Sequence, residues 1–387
     1  MIRVAFPLIG GRGWTGGYNY LLNLIRASQS HAPGRIVAVL FVGPEAADGV
    51  RKDLGAVAGV EVIADPAFGE APGAGRLAAA LAFGLDPAAA RAFRAHRIDV
   101  VFEAAQFYGW RLPQPAIAWI PDFQHRRLPH LFSAFARFKR AVGFNAQIWS
   151  GRRIMLSSED ARSDCELFHP GSRGRTAVVR FAIPRDHPVD AAEARAAADR
   201  HGLPEDYLYL PNQFWIHKNH AAVVDALAIL RAGGRSLVVA ASGNQADPRD
   251  PDHFRKLMAR AEAAGVGDLF RPLGLIPYAD VPLLMRASAA MINPSMFEGW
   301  STTVEEAKST GTPMILSDLR VHREQAGETA LYFDPARPES LASVLGSFEP
   351  RTAAERVALA DAAAIGSQQR TAAFGERFAD LMELAAR

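Results

Sequence analysis

The segment Asn293-Pro-Ser-Met-Phe-Glu298-Gly299-Trp300-Ser301-Thr302-Thr303-Val-Glu305-Glu306 sets two carboxylates, Glu298 and Glu306, eight residues apart across the junction from a loop into a helix. Ser301, Thr302 and Thr303 suit a helix start. Unsatisfied N–H groups and the helix dipole favour an anion such as phosphate there. Glu298 falls in the loop and Glu306 one to two turns into the helix, so two acceptors lie at different depths of one pocket. Carboxylates accept strong, charge-assisted hydrogen bonds from hydroxyls, and two of them suit two sets of sugar hydroxyls. The plainer alternative makes Glu298 a backbone cap and Glu305 and Glu306 solvated helix acids.

The surrounding residues extend the match. Phe-Glu298-Gly-Trp-Ser-Thr-Thr-Val-Glu-Glu306-Ala, followed by Ser-Thr-Gly311-Thr-Pro313, resembles the E-x7-E signature of retaining GT-B glycosyltransferases of the family-4 type. Leu-Pro211-Asn-Gln213-Phe-Trp-Ile-His-Lys218-Asn219-His220 is similar to that family's phosphate-binding segment. Lys218 lands on the family's lysine, Gln213 stands where arginine is usual, and Asn219 where glycine is usual. Leu273-Gly-Leu-Ile-Pro-Tyr-Ala-Asp280 resembles the loop near the nucleotide base. The resemblance implies a hexosyl transfer from a nucleotide-diphosphate sugar with retention, independent of metal. Glu306 would hold ribose hydroxyls and Glu298 a hydroxyl of the donor sugar. Lys218, with Gln213 in the arginine position, would face the diphosphate, and the backbone N–H groups near Trp300, Ser301 and Thr302 would meet phosphate or sugar. It implies no protein nucleophile. The acceptor would be a glycan or lipid-linked glycan of cell-envelope polysaccharide synthesis, met at the cytoplasmic side. The Gln213 and Asn219 departures motivate a second reading, a GT-B protein that binds nucleotide-sugar or glycan without transfer.

In the first half, Trp119-Ile-Pro-Asp122-Phe-Gln124-His125-Arg126-Arg127 follows an apolar run at a strand end. It resembles the family's histidine-bearing loop facing the donor sugar, which makes His125 and Asp122 candidate catalytic residues. A near-neutral His can donate to a sugar hydroxyl; alternatively, Asp122 caps a turn and His125 is solvated. Gly11-Arg-Gly13-Trp-Thr-Gly16 fits G-x-G-x-x-G. It is discounted as a dinucleotide site because no acidic residue ends the second strand, where a ribose-binding carboxylate belongs. A nicotinamide-dependent dehydrogenase would require that site. Gly16-Gly17 before a helix would still let a phosphate or sugar approach backbone N–H groups. Asp250-Pro-Asp252 has metal-site spacing, but Asp252 reads as a helix cap. His217 and His220 have no evident third zinc ligand.

These residues need a scaffold, and the chain's pattern supplies one. Apolar or β-branched runs alternate with Ala-rich helical stretches along 387 residues, which argues for α/β units with parallel sheets. Strands are expected near 2–8, 36–42, 60–64, 100–102, 116–120, 154–157 and 177–181, then 207–210, 236–241, 269–271, 290–293, 313–317 and 330–333. The expected architecture is GT-B: two doubly wound, Rossmann-like domains facing across a cleft. The acceptor domain covers 1–185 and the donor domain 186–366, divided at the proline-rich segment 183–190. A last helix over 367–387, with Phe374, Phe378, Leu381 and Leu384 in helical register, crosses back to the first domain.

A single cysteine, Cys165, excludes a disulfide framework. No stretch is long and apolar enough to span a bilayer, and the N-terminus reads as a strand rather than a signal peptide. The net charge of +2 hides a basic first half (22 Lys/Arg against 14 Asp/Glu over 1–183) and an acidic second (21 against 27). Between Asp122 and Glu159 there are no acids, and Phe132, Phe135 and Phe138 recur at three-residue spacing. Basic charge beside an aromatic stripe suits peripheral contact with an anionic membrane; the alternative is a core stripe with a solvated basic face. The basic run lacks a nucleic-acid recognition motif.

Overall fold

The inner runs of Val, Ile, Leu and Ala form strands buried on both faces, as in parallel sheets covered by helices, whereas the edge strands are only partly buried. The structure, a computed structural model, describes residues 1–8, 15–55, 57–69, 74–104, 106–185 and 187–387. The chain divides into two units, Met1–Pro184 with Gln369–Arg387, and Arg185–Gln368.

The first unit holds β1 (Ile2–Leu8), β2 (Ile36–Val42), β3 (Val60–Ala64), β4 (Val100–Ala104), β5 (Ala116–Trp119), β6 (Arg153–Leu156) and β7 (Thr176–Val178). They pair in the order β3-β2-β1-β4-β5-β6-β7, every ladder parallel. Phe41, Phe68, Phe93 and Tyr108 pack ring against ring beside the sheet. The helix Glu159–Phe168 starts where the Ser158 side chain accepts the Ala161 N–H, and the long loop after β5 gives the helices Gln124–Arg127 and Ala134–Trp149.

The second unit holds β8 (Leu208–Leu210), β9 (Val239–Ser242), β10 (Phe270–Gly274), β11 (Ala290–Asn293), β12 (Met314–Ser317) and β13 (Ala330–Phe333). Their order is β10-β9-β8-β11-β12-β13, again all parallel. Its first strand therefore neighbours its fourth, and connections leave in opposite directions on either side of the β8–β11 pair. Such a switch point splays the loops at the strands' carboxyl ends and opens a crevice there. Leu210, Phe214, Val223, Leu227, Phe270, Ile292 and Ile315 form part of the core on one face. Tyr207, Tyr209, Met285, Met291 and Leu316 lie in the core on the other.

The C-terminal helix departs from expectation in length. It is continuous from Ala353 to Ala386 and runs through Gly366. Ala-, Glu- and Arg-rich sequence sustains it, so no break is needed where the apolar register begins. Phe374, Phe378 and Leu381 are buried, as the spacing predicts, whereas Leu384 is exposed. Phe378 packs on Phe6 and Phe374 on Tyr20 within the first unit. Gly375 makes the fit possible, since a Cβ there would lie 2.3 Å from the Ala27 carbonyl oxygen. Among the described residues no helix is long and apolar enough to cross a membrane.

Candidate functional site

The loops that leave β8 and β11 meet at the switch point of the second unit. Asn212 Nδ2 donates to Asn293 Oδ1 at 3.3 Å, and the Met296 N–H donates to the His217 carbonyl at 2.8 Å. A Cβ on Gly243, where φ is +151°, would lie 2.5 Å from the Asn212 carbonyl oxygen, so only glycine lets the chain after β9 pass this loop.

Lys218 ends a short 3₁₀ turn, Ile216–Lys218. Buried Asp247 pins that turn by accepting the Ile216 N–H at 2.9 Å, and it also accepts the Arg249 N–H at 2.9 Å. The next residue, Asn219, has φ +57° and ψ +38°, the left-handed region that favours glycine and that Asn tolerates best among other residues. Its Nδ2 donates to the Pro335 carbonyl at 2.9 Å. The Asn219 departure therefore keeps the backbone bend intact. Gln213 directs Oε1 to the Asn244 N–H at 2.7 Å, which leaves its NH2 as the group available to a ligand.

The turn brings Lys218 Nζ to Glu298 Oε1 at 2.6 Å, with the two side chains 13% and 9% exposed. Ser295 Oγ donates to the same oxygen at 2.7 Å. Burial alone would raise the Glu298 carboxyl. The Lys218 and His322 charges and the hydrogen bonds from Lys218 and Ser295 outweigh it and hold Glu298 below the ordinary carboxylate range. Glu298 is thus a fixed anion beside a fixed cation at the mouth of the sheet.

The helix Thr302–Thr310 starts after Ser301, but Ser301 does not cap it with its side chain. Its hydroxyl instead accepts from Asn293 Nδ2 at 2.9 Å. Its N–H donates to Gln325 Oε1 at 2.9 Å, and Gln325 Nε2 returns to the Ser301 carbonyl at 3.0 Å. The Ser301 amide is therefore committed inside the protein, a correction to its expected place among the amides that would meet phosphate or sugar. Thr302 is exposed at the first helical position, at the positive end of the dipole.

Glu306 lies four residues beyond Thr302, ~6 Å along the helix axis. It is buried and accepts from Tyr278 Oη at 3.0 Å. Burial pushes its carboxyl up to about 7, against the Tyr278 hydrogen bond and the Arg185 charge. Arg185 Nε reaches Ser309 Oγ at 3.2 Å on the same helix. Glu298 and Glu306 thus have separate partner sets. Neighbouring Glu305 is buried too, paired with Lys308 at 3.0 Å, so it is not the solvated acid of the alternative reading.

In the first unit, Asp122 Oδ1 accepts the Gln124 N–H at 2.8 Å and so shapes the turn into Gln124–Arg127. His125 is buried, with the Phe144 ring at 5.4 Å. Burial, then the Arg140, Arg126 and His169 charges, hold its pKa down at about 4, so the imidazole is neutral at pH 7. Gly16 and Gly17 fall inside the first turn of the helix Thr15–His31 rather than before it. The rest of the glycine motif, residues 11–14, lies outside the described residues. Asp252 stands at the start of its helix without capping it, and pairs with Arg255 instead. Among the described residues no group of three or more His, Cys, Asp or Glu side chains could hold a metal ion.

Five residues with a part in this geometry carry no motif of their own: Arg185, Asp247, Tyr278, Gln325 and His322. Tyr278 lies inside the segment that resembles the base loop, which is the one signal pointing toward it.

Residues 196–363 match the family described as Glycosyl transferases group 1. Among curated relatives, O-antigen chain mannosyltransferase B of Escherichia coli is 32% identical over 191 residues, 48% of this chain and 48% of that protein. D-inositol 3-phosphate glycosyltransferase of Streptomyces avermitilis is 27% identical over 188 residues, 46% of this chain and 40% of its own length. The match thus spans about half the length, or less, of these curated relatives. Solved structures align along the whole chain. Anabaena HepE in complex with UDP-glucose gives a TM-score of 0.71 at 15% identity, covering 99% of this chain and 100% of that one. WaaG, a glycosyltransferase involved in lipopolysaccharide biosynthesis, gives 0.64 at 15% identity, covering 99% of each. The fold is GT-B, in agreement with the sequence expectation.

Proposed function

We propose that this protein is a retaining glycosyltransferase of the family-4 type that moves a hexosyl group from a nucleotide-diphosphate sugar to a glycan or lipid-linked acceptor. The observation that carries the reading is the Lys218–Glu298 pair held at the switch point, with Glu306 and Tyr278 on the helix and loop beside it. In this reading Glu306 holds the ribose hydroxyls, and Arg185 and Tyr278 set its charge. Glu298 holds a hydroxyl of the donor sugar. Lys218, the Gln213 amide and the Thr302 end of the helix stabilise the diphosphate as its charge grows on departure. The bond from the anomeric carbon to the diphosphate breaks, the acceptor oxygen bonds on the same face, and its proton passes to the departing phosphate oxygen. No protein nucleophile and no metal enter. His125 and Asp122 belong to the first unit's contribution to sugar and acceptor, and Gly16–Gly17 offers backbone to the same ligands. The likeness to an O-antigen chain mannosyltransferase supports an acceptor from cell-envelope polysaccharide synthesis.

A thermal-shift screen of UDP-, GDP- and dTDP-sugars tests the donor class, because a ligand that binds the folded state raises the midpoint by mass action. One donor class should raise it, and the same donor should be turned over with an acceptor mixture in the presence of EDTA. Binding without turnover would favour a nucleotide-sugar-binding protein that transfers nothing, the reading that neutral Gln213 in the arginine position keeps open.

Tyr278→Phe gives a finer test. Loss of the hydroxyl removes a hydrogen bond that lowers the Glu306 pKa. The pH midpoint of donor binding should move upward, with affinity above the midpoint nearly unchanged. A uniform loss at every pH would instead give Tyr278 direct contact with the donor.

A further inference from the structure

The helix Ala134–Trp149 places Phe135, Phe138 and Trp149 within an arc of about 60° at 3.6 residues per turn. They are 75%, 66% and 81% exposed, so Phe135 and Phe138 do not belong to a core stripe, whereas Phe132, the third ring of the expected stripe, precedes the helix and is half-buried. Arg137, Lys139 and Arg140 on the same helix, and Arg126 just before it, are exposed. Among the described residues no carboxylate pairs with any of the four, whereas nearby Arg127 is bound to Asp164. The arginines are backed by rings, Arg126 lying 4.8 Å over Phe168 and Arg140 4.7 Å over Phe132. Beside the stripe an open cavity of about 530 Å³ is lined by Arg126, Arg137, Phe138, Phe168 and His125.

We infer that this face docks on an anionic phospholipid bilayer. Phe135, Phe138 and Trp149 enter the interface, and the exposed Arg126, Arg137, Lys139 and Arg140 meet headgroup phosphates. Charge selects the occupant. The segment from Phe123 to Ser158 contains no acid, so an anionic surface meets only attraction, while a protein surface of mixed charge would leave the four cations partly unpaired. Aromatic rings favour the zone where apolar chains meet headgroups. The inference rests on the first unit alone and would hold for any chemistry in the second.

Flotation of the full chain tests it. Vesicles of phosphatidylglycerol in phosphatidylcholine should capture the protein and pure phosphatidylcholine should not, with capture weakening as salt rises. Arg137→Glu with Lys139→Glu should lower the partition by roughly a hundredfold. Phe135→Ser with Trp149→Ser should also lower it, and in the wild type the Trp149 emission should shift to the blue on anionic vesicles. Both variants alter exposed side chains, so an unchanged thermal midpoint reports intact folding, and nucleotide-sugar binding in the same samples reports the second unit separately. Equal capture by neutral vesicles, no capture by either, or variants that float like the wild type would overturn the inference.

Discussion

Lys218→Ala is expected to lower donor turnover by ~10²–10³-fold, the usual effect of removing one preorganised group that meets developing charge. It should also destabilise the fold by roughly 3 kcal/mol, near the low end for breaking a buried ion pair. Both effects trace to the 2.6 Å contact with Glu298, whose side chain is only 9% exposed. Without the ammonium, that carboxylate keeps Ser295 as a donor but loses the charge that offsets its burial. Glu298→Gln added to Lys218→Ala removes the orphaned charge, so the double variant should regain most of the stability and none of the turnover. Denaturant midpoints together with initial rates check this. Parallel recovery of both would make the pair a structural brace only.

The second large effect concerns Glu306. A carboxyl at about 7 is half protonated at neutral pH, and a protonated carboxyl is a poorer acceptor for ribose hydroxyls. Donor affinity should therefore rise about tenfold from pH 6 to pH 8, since each unit below the pKa costs a factor of ten. Glu298 stays ionised throughout this window, and the diphosphate of a nucleotide sugar carries no proton that titrates there. Glu306→Gln should flatten the profile and weaken binding by ~10–100-fold at high pH, the worth of a hydrogen bond to a charged group. Stability should run the other way. The folded state holds this proton up to about 7 and an ordinary Glu only to 4.5, so the folded state binds more protons between those values. The Glu306 contribution is full below 4.5 and lost as pH rises through 7. Thermal midpoints of wild type and Glu306→Gln across pH 5–8 should diverge in that sense.

Much of this geometry was legible because its signals are local. β1, β2, β3, β11 and β13 have the boundaries their residues predict, since each run of apolar residues coincides with a parallel ladder. β9 was harder: Ser236–Ala241 reads as a strand, whereas the ladder holds Val239–Ser242. Strand ends depend on how far neighbouring β8 and β10 extend, which the segment itself does not encode. β7 stops at Val178 for a related reason, being an edge strand that pairs only with β6. Glu298, Glu306 and Lys218 announce themselves through a motif and its spacing. Their supports do not. Gln325 clamps Ser301 from 24 residues away, Asp247 holds Ile216 from 31, and Tyr278 meets Glu306 from 28. Such contacts arise only once the sheet has brought separate loops together. The aromatic stripe near Phe135 shows a different limit, because periodicity gives the face of a helix but not what lies against it.

Titration calorimetry of the wild type, Glu298→Gln and Glu306→Gln with UDP-, GDP- and dTDP-sugars addresses the central claim most directly. At least one nucleotide sugar should bind the wild type. Glu306→Gln should weaken that sugar and its free nucleoside diphosphate alike, and Glu298→Gln should weaken only the sugar. If none of these ligands binds, or if both variants bind as the wild type does, the two carboxylates are not the grip assigned to them.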